Sequence, residues 1–294
     1  MTRIELQTLE KINRTDFSAS DFTVHIPEAL SSDVESKTSF YDEHSSNYYG
    51  YEQYIESFNE MMDKEEVVSY FQPIVELGTT NTIGFEMLGR TFYGNLPGSP
   101  EQLFSIASVF GLEDRLSRLF RLVGMNDVRN IDCLHNIFVN AHPKEMNNLR
   151  LLVASLSEIR RLAPDHPITL EINEKSVLSL NFLKELRVAL DDLNIKMAFD
   201  DFGAGQSRVI ELAEAPPDYV KFDRVLIENI HKSSVNLQCM VKTLLNMLCD
   251  LGVSTVAEGI ECREEYEYCA EIGFNYGQGY YFGRPARIEH IPQQ

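Results

Sequence analysis

Most of eight short apolar segments between Tyr70 and Phe282 end in a residue that can bind a metal or move a proton: Glu86, Asn140, Glu171, Asp200 with Asp201, Lys221, Glu258 and Gln278. A carboxylate, amide or ammonium at the same end of successive buried strands costs several kcal/mol if left unpaired. Such groups must therefore be compensated together, and a pair of divalent cations is the most economical means. Asp200-Asp201-Phe202-Gly203-Ala204-Gly205 carries the strongest local signal. Adjacent carboxylates repel each other, and shared cations resolve that repulsion; an acidic turn of Asp and flexible Gly is the competing reading. Asp201-Phe202-Gly203 also has the form of the kinase magnesium triplet, but the chain has neither a Gly-rich nucleotide loop nor an H-R-D catalytic loop.

The other residues each carry a plainer alternative. Glu86 could pair with Arg90 in a structural salt bridge, and Asn140 could form a turn before His142-Pro143. Glu171, in Thr169-Leu170-Glu171-Ile172-Asn173, reads as inward or strand-terminal, and Glu174 just beyond could brace a neighbouring loop. Lys221 lies between Val220 and Phe222, where a lone ammonium would lose its hydration and a carboxylate neighbour would keep it charged. A simple interstrand salt bridge competes with that reading. Recurrence decides, because independent accidents would not mark nearly every strand end.

The elements that position these residues are legible as periods. Segments 69–75 and 83–88 are strand-like, and the connection 76–82 is too short for a crossover helix, which predicts antiparallel neighbours. Further strands are expected at 136–141, 168–173, 197–200, 219–222, 254–257 and 276–282, with helical periods over 116–128, 145–162, 177–190, 225–251 and 264–272. The alternation predicts an α/β fold, a modified TIM (β/α)8 barrel with an antiparallel first strand, whose chemistry sits at the carboxyl ends of the strands. Residues 1–62 form a separate acidic and polar segment of unassigned role. Segments 3–9 and 22–26 alternate like short strands, a possible remnant of an upstream module, and 51–62 reads as a helix leading into the barrel of 63–294.

The chain of 294 residues is long enough for one barrel and a short appendage, and 44% of it is hydrophobic. No stretch reaches the roughly 20 apolar residues of a membrane span, and the first residues lack a signal-peptide core. A soluble cytoplasmic protein is expected. Five cysteines without a C-x-x-C pair suggest neither a disulfide framework nor a zinc site. A net charge of −19 argues against a duplex nucleic-acid surface, and would repel an anionic substrate unless bound cations reversed the local field.

Taken in order, Tyr70-Phe71-Gln72-Pro73-Ile74-Val75, Glu86-Met87-Leu88, Val139-Asn140, Glu171-Ile172-Asn173-Glu174, the Asp200-Asp201 motif, Asp218-Tyr219-Val220-Lys221-Phe222-Asp223, Ala257-Glu258-Gly259-Ile260-Glu261 and Gln278-Gly279-Tyr280 to Pro285 resemble the EAL-domain family of cyclic-di-GMP phosphodiesterases. The resemblance covers roughly 63–287. It implies hydrolysis of cyclic di-GMP to linear pGpG with two divalent cations, Mg²⁺ or Mn²⁺. By position, Glu86, Asn140, Glu171 and Asp200 would hold one metal and Asp200 with Asp201 the other, with Glu258 assisting. Lys221 would orient the attacking water or stabilise charge, and Gln278 would position water. Arg90, Gln72 and Pro285 are the substrate-binding residues so implied, and Glu174 would stabilise the loop that couples the site to a homodimer. A receptor or protein-interaction module that binds without hydrolysis is the alternative. Met87 stands where the family has Ala, Gly89 where it has a larger apolar residue, Ala204 where Thr is common and Gln206 where Tyr is common.

Overall fold

The computed structural model describes residues 51–129, 135–173, 176, 179–203 and 209–291. Glu174, Ala204, Gln206 and the strand-like segments 3–9 and 22–26 lie outside them. The chain divides into two units, Met1–Gln53 and Tyr54–Gln294, and the second contains the barrel. It opens with α1 (Ile55–Lys64), whose Phe58 and Met61 are fully buried.

β1 (Val68–Glu76) and β2 (Thr82–Arg90) form the expected antiparallel hairpin, with Gln72 opposite Glu86. β3 (Asn136–Ala141), β4 (Ile168–Asn173), β5 (Ile195–Phe202), β6 (Tyr219–Phe222), β7 (Ser254–Ala257) and β8 (Tyr276–Gln278) follow parallel to β2. β8 closes on β1 in antiparallel register, setting Gln278 opposite Ile74 and completing an eight-stranded barrel. Just beyond β8, Phe71 and Ala286 exchange both backbone hydrogen bonds, at 2.7 and 3.1 Å, and so continue the seal along β1. The fold is the modified TIM barrel with a reversed first strand.

Around the strands run α2 (Pro100–Phe110), α3 (Glu113–Val128), α4 (Leu149–Leu162), α5 (Leu180–Asp192), α6 (Val209–Glu214), α7 (Arg224–Ile227), α8 (Val235–Asp250) and α9 (Arg263–Ile272). α2 is additional to the sequence-based expectation; Pro100 at its first turn and Gly111 at φ 65° after its last delimit it. The single helix expected over 225–251 is instead α7, a 3₁₀ turn at Ile230–Lys232, and α8. The break falls where Asn229 adopts the left-handed conformation and where Ser234 accepts the Leu237 N–H, starting a new helix. The helix expected over 145–162 likewise begins at Leu149, because Asn148 caps Leu151 after a 3₁₀ turn over Pro143–Asn147.

Two apolar bodies support the site. The larger lies between strands and helices, where Leu170, Ile172, Phe199 and Val220 meet Leu183, Leu186 and Leu190 of α5. Those leucines recur at helical spacing, which turns one face inward. The smaller is a plug inside the barrel, made of Ile74, Phe138, Ala198, Tyr219 and Val256. Alternation along each strand puts the polar strand-end residues above this plug, facing the same interior. Among the described residues no helix is long and apolar enough to cross a membrane.

Candidate active site

Lys221 of β6 is completely buried, and its Nζ is the hub of the barrel mouth. Four carboxylates from four strands or strand ends converge on it: Glu171 at 2.6 Å, Glu258 at 2.7 Å, Asp200 at 3.0 Å and Glu86 at 3.3 Å. An ammonium has three N–H donors, so it cannot satisfy four carboxylates by itself. Amides assist one of them. Gln278 Nε2 donates to Glu86 Oε2 at 2.7 Å and to Gln72 Oε1 at 3.2 Å, while Asn140 Nδ2 donates to Glu86 Oε1 at 3.1 Å. Glu86 therefore pairs with Lys221, and its structural pairing with Arg90 is not what the fold builds.

The Asp200-Asp201 pair works through the backbone. In a regular strand successive side chains point to opposite faces, which would send one of the two away from the interior. Here the β5–β6 register shifts between Phe199 and Phe202, and Asp201 has φ 58°. This bulge breaks the alternation, so that both carboxylates line one cleft. Asn173 donates to Asp201 from the end of β4 and holds it there. One oxygen from each of Asp200, Asp201 and Glu258 lies within 4.8 Å of the others.

Five carboxylates and one ammonium leave four uncompensated negative charges when all are ionised. The carboxylates respond as such a cluster must. Burial, reinforced by the Glu86 and Asp200 charges, holds Glu171 well above the usual carboxylate range despite Lys221. Burial pushes Glu258 up to about 8, and burial with the Asp200 charge pushes Asp201 up to about 6. Burial, with the Glu86 charge, raises Asp200 as well. Glu86 alone is lowered: burial opposes its charge, but Lys221 and the two amides outweigh it. The four carboxylates likewise overcome burial to keep Lys221 charged. Even so, the fully buried Glu171 Oε2 and Gln278 Oε1 have no hydrogen-bond partner among the described residues. Buried acceptors of this kind are normally satisfied. The excess charge, the all-oxygen donor set and these orphaned acceptors fit hard, oxygen-preferring divalent cations.

The cluster opens into a cleft of about 330 Å³, which Gln72, Glu86, Asp200, Asp201, Glu258 and Gln278 line together with Asp223, Arg224, Glu261 and Tyr280. Asn140 is exposed at the end of β3 beside Glu86. Arg90 stands apart: it donates to the Gly89 carbonyl at 2.8 Å and sits over the Tyr70 ring. Pro285 is half-buried and outside the cleft lining. Sequence reasoning missed Arg121, which is buried on α3 and donates to the Asn140 carbonyl at 2.9 Å, to both oxygens of Glu145, and to Ser117 and Ser155. It anchors the strand end that carries Asn140. Its only sequence signal is a charged residue on the apolar face of a helix.

The family model described as EAL domain matches residues 55–285. Among curated relatives, the cyclic di-GMP phosphodiesterase RocR of Pseudomonas aeruginosa is 29% identical over 244 residues, covering 78% of this chain and 60% of RocR. The probable cyclic di-GMP phosphodiesterase PdeN of Escherichia coli is 27% identical over 236 residues, covering 77% of this chain and 45% of PdeN. The chain thus spans less than two thirds of either. Among solved structures, the PaMucR phosphodiesterase in complex with c-di-GMP matches with a TM-score of 0.72 at 23% identity, over 82% of this chain and 100% of that one, a likeness of fold. Klebsiella pneumoniae BlrP1 in a manganese and cyclic di-GMP complex matches with a TM-score of 0.68 at 28% identity, over 75% of this chain and 56% of that one. With the matched region covering most of its length, the chain belongs to the EAL domain family.

Proposed function

We propose that this chain is a metal-dependent phosphodiesterase that hydrolyses cyclic di-GMP to linear pGpG. The observation that carries the reading is the over-subscribed lysine: four carboxylates converge on one buried ammonium, with a fifth alongside, at the mouth of the barrel. The relatives named as cyclic di-GMP phosphodiesterases and the manganese complex of BlrP1 support the substrate and the metal class. Glu86, Asn140, Glu171 and Asp200 would hold one cation, and Asp200 with Asp201 and Glu258 the other. When bound, such cations make a water nucleophilic at neutral pH and neutralise charge on phosphoryl oxygens.

The chain's own groups do the rest. Lys221 is held charged and immobile by its carboxylates, so it presents a fixed positive charge where negative charge develops on the transferred phosphoryl group. Glu258, 2.7 Å from the Lys221 ammonium, holds that charge in place and would assist the second cation. Gln278 and Gln72 form a chain of amides across β1 and β8 that orients Glu86 and fixes one wall of the cleft. Arg90, Pro285 and Glu174 keep their proposed roles in substrate binding and loop support, and a homodimer is part of the same proposal.

Incubation of the purified chain with cyclic di-GMP and Mn²⁺, followed by chromatography of the products, tests the reading. Formation of pGpG that EDTA abolishes is the expected result. Tight binding of intact dinucleotide without cleavage would replace the enzyme with a receptor.

A further inference from the structure

We propose that His231, Cys262 and Glu265 form a second cation site, distinct from the carboxylate cluster and selective for a thiophilic ion of the zinc class. The three residues come from two loops. His231 lies in the 3₁₀ turn Ile230–Lys232 after β6, and Cys262 and Glu265 stand at the start of α9 after β7. One ligand atom from each lies within 4.8 Å of the others. Bonds of about 2.0 to 2.3 Å to zinc put tetrahedral ligand atoms about 3.5 Å apart, so a contraction of roughly 1 Å by side-chain rotation closes the site.

A helix cap accounts for only part of this arrangement. Glu265, 4% exposed, accepts the Asn229 N–H at 2.8 Å, the Glu261 N–H at 2.9 Å and the Cys262 N–H at 3.3 Å, as an N-terminal capping carboxylate does. These bonds fix its position: Oε2 accepts two of them and Oε1 one, which leaves a lone pair on Oε1. The cap gives no role to His231. Both ring nitrogens of His231 are shielded from solvent and have no hydrogen-bond partner among the described residues. The large majority of buried side-chain polar atoms are satisfied, so an imidazole with two unserved nitrogens beside a capping thiol outside any disulfide points to a missing ligand.

The donor set decides which ligand. Thiolate and imidazole favour zinc over magnesium or manganese, whereas the all-oxygen cluster around Lys221 has the reverse preference. Binding would replace the Cys262 S–H by a sulfur–metal bond and release that proton to solvent. The site also has leverage on the cleft. Arg224 and Glu261, paired at 2.8 Å, belong to the same two loops and line the cleft beside Glu258. A cation joining His231 to Cys262 would cross-brace the loops at that rim.

The test uses Co²⁺ as a spectroscopic substitute for zinc, added to the metal-stripped, reduced chain after the carboxylate cluster has been saturated with Mg²⁺. A thiolate-to-cobalt charge-transfer band that saturates at one equivalent is expected, with Zn²⁺ bleaching it. Cys262→Ser keeps a capping oxygen, so it should fold with unchanged circular dichroism and lose the band. His231→Gln should weaken Co²⁺ binding by at least tenfold. Absence of the band in the wild type, its persistence in Cys262→Ser, or unchanged affinity in His231→Gln would each overturn the assignment. The readout does not depend on hydrolysis, so its failure and the failure of the phosphodiesterase reading are separate events.

Discussion

Lys221 concentrates what single residues contribute. Replacing it by Met removes a fixed charge from the reacting centre while leaving the cleft lining in place. The expected result is a loss of about 10²- to 10³-fold in kcat with KM little changed. Steady-state kinetics on cyclic di-GMP decide this, and a change confined to KM would contradict the proposed role. The raised carboxylates give a second prediction. Glu258 is shifted from 4.5 to about 8 and Asp201 from 3.8 to about 6, so in metal-free protein the folded state binds more protons than the unfolded chain between those values. Stability from these groups is therefore fully present below about pH 4 and lost progressively as pH rises to about 8. The metal-free Tm should fall over that window, by roughly 2–4 °C for each kcal/mol lost. Added Mn²⁺, which needs the deprotonated form, should reverse the fall. A metal-free Tm that climbs from pH 6 to 8 would contradict the electrostatic account. Residue identities were legible because a charged or amide group at the end of an apolar run stands out in one dimension. The left-handed Asp201 was not, because two adjacent aspartates look the same whether a strand is regular or bulged.

At the scale of elements, the departures in β2 are matched across its contact with α3. A Cβ on Gly124 would collide with the Met87 sulfur, and one on Gly89 with the Phe120 ring. Volume has been exchanged between strand and helix: a large residue at 87 faces glycine, and glycine at 89 faces a large residue. Met87→Ala should cost about 2–5 kcal/mol by leaving a cavity. Gly124→Ala should cost about 1–3 kcal/mol by overpacking. The double variant should cost clearly less than their sum, because the new methyl group fills part of the space; urea unfolding measures the coupling. Simple additivity would show that the two positions do not share that space. Arg121→Met should destabilise by about 3–5 kcal/mol, since it strands Glu145 without its buried partner. Strands and most helices were legible through their periods. The break at Asn229 was obscured because apolar spacing continues from Val225 through Leu251, and only a left-handed residue and a serine cap mark it. Arg121 was hidden because its partners, Asn140, Glu145 and Ser155, lie on three later elements.

For the whole molecule, a chain of net charge −19 gathers Glu86, Glu171, Asp200, Asp201 and Glu258 in one cluster at the barrel mouth, which folding permits only if protons, Lys221 and cations share the compensation. The fold distributes that burden: seven of the eight strands, or the residues just beyond them, contribute Glu86, Asn140, Glu171, Asp200, Lys221, Glu258 and Gln278, so no single element carries it. The compact unit begins at Tyr54, and α1 within it buries Phe58, which stacks on Phe110 of α2 with ring centroids 5.7 Å apart. A chain starting at Tyr54 should therefore unfold cooperatively near the full-length Tm, whereas one starting at Asp63 should lose several degrees; equal Tm values for the two would remove α1 from the barrel's structure. Closure of the barrel could be anticipated from the count of strands, while the meeting of distant residues such as His231 and Cys262 depends on loop paths that periodicity does not encode. The central claim is that the acidic mouth is a two-cation centre on which hydrolysis depends. Its most direct measurement is a Mn²⁺ titration in which free Mn²⁺ is followed by electron paramagnetic resonance and pGpG formation is assayed in the same samples. The account predicts two tightly bound Mn²⁺ per chain and turnover that rises with their occupancy, both lost in Asp200→Asn; turnover without bound Mn²⁺, or two bound ions in Asp200→Asn, would contradict it.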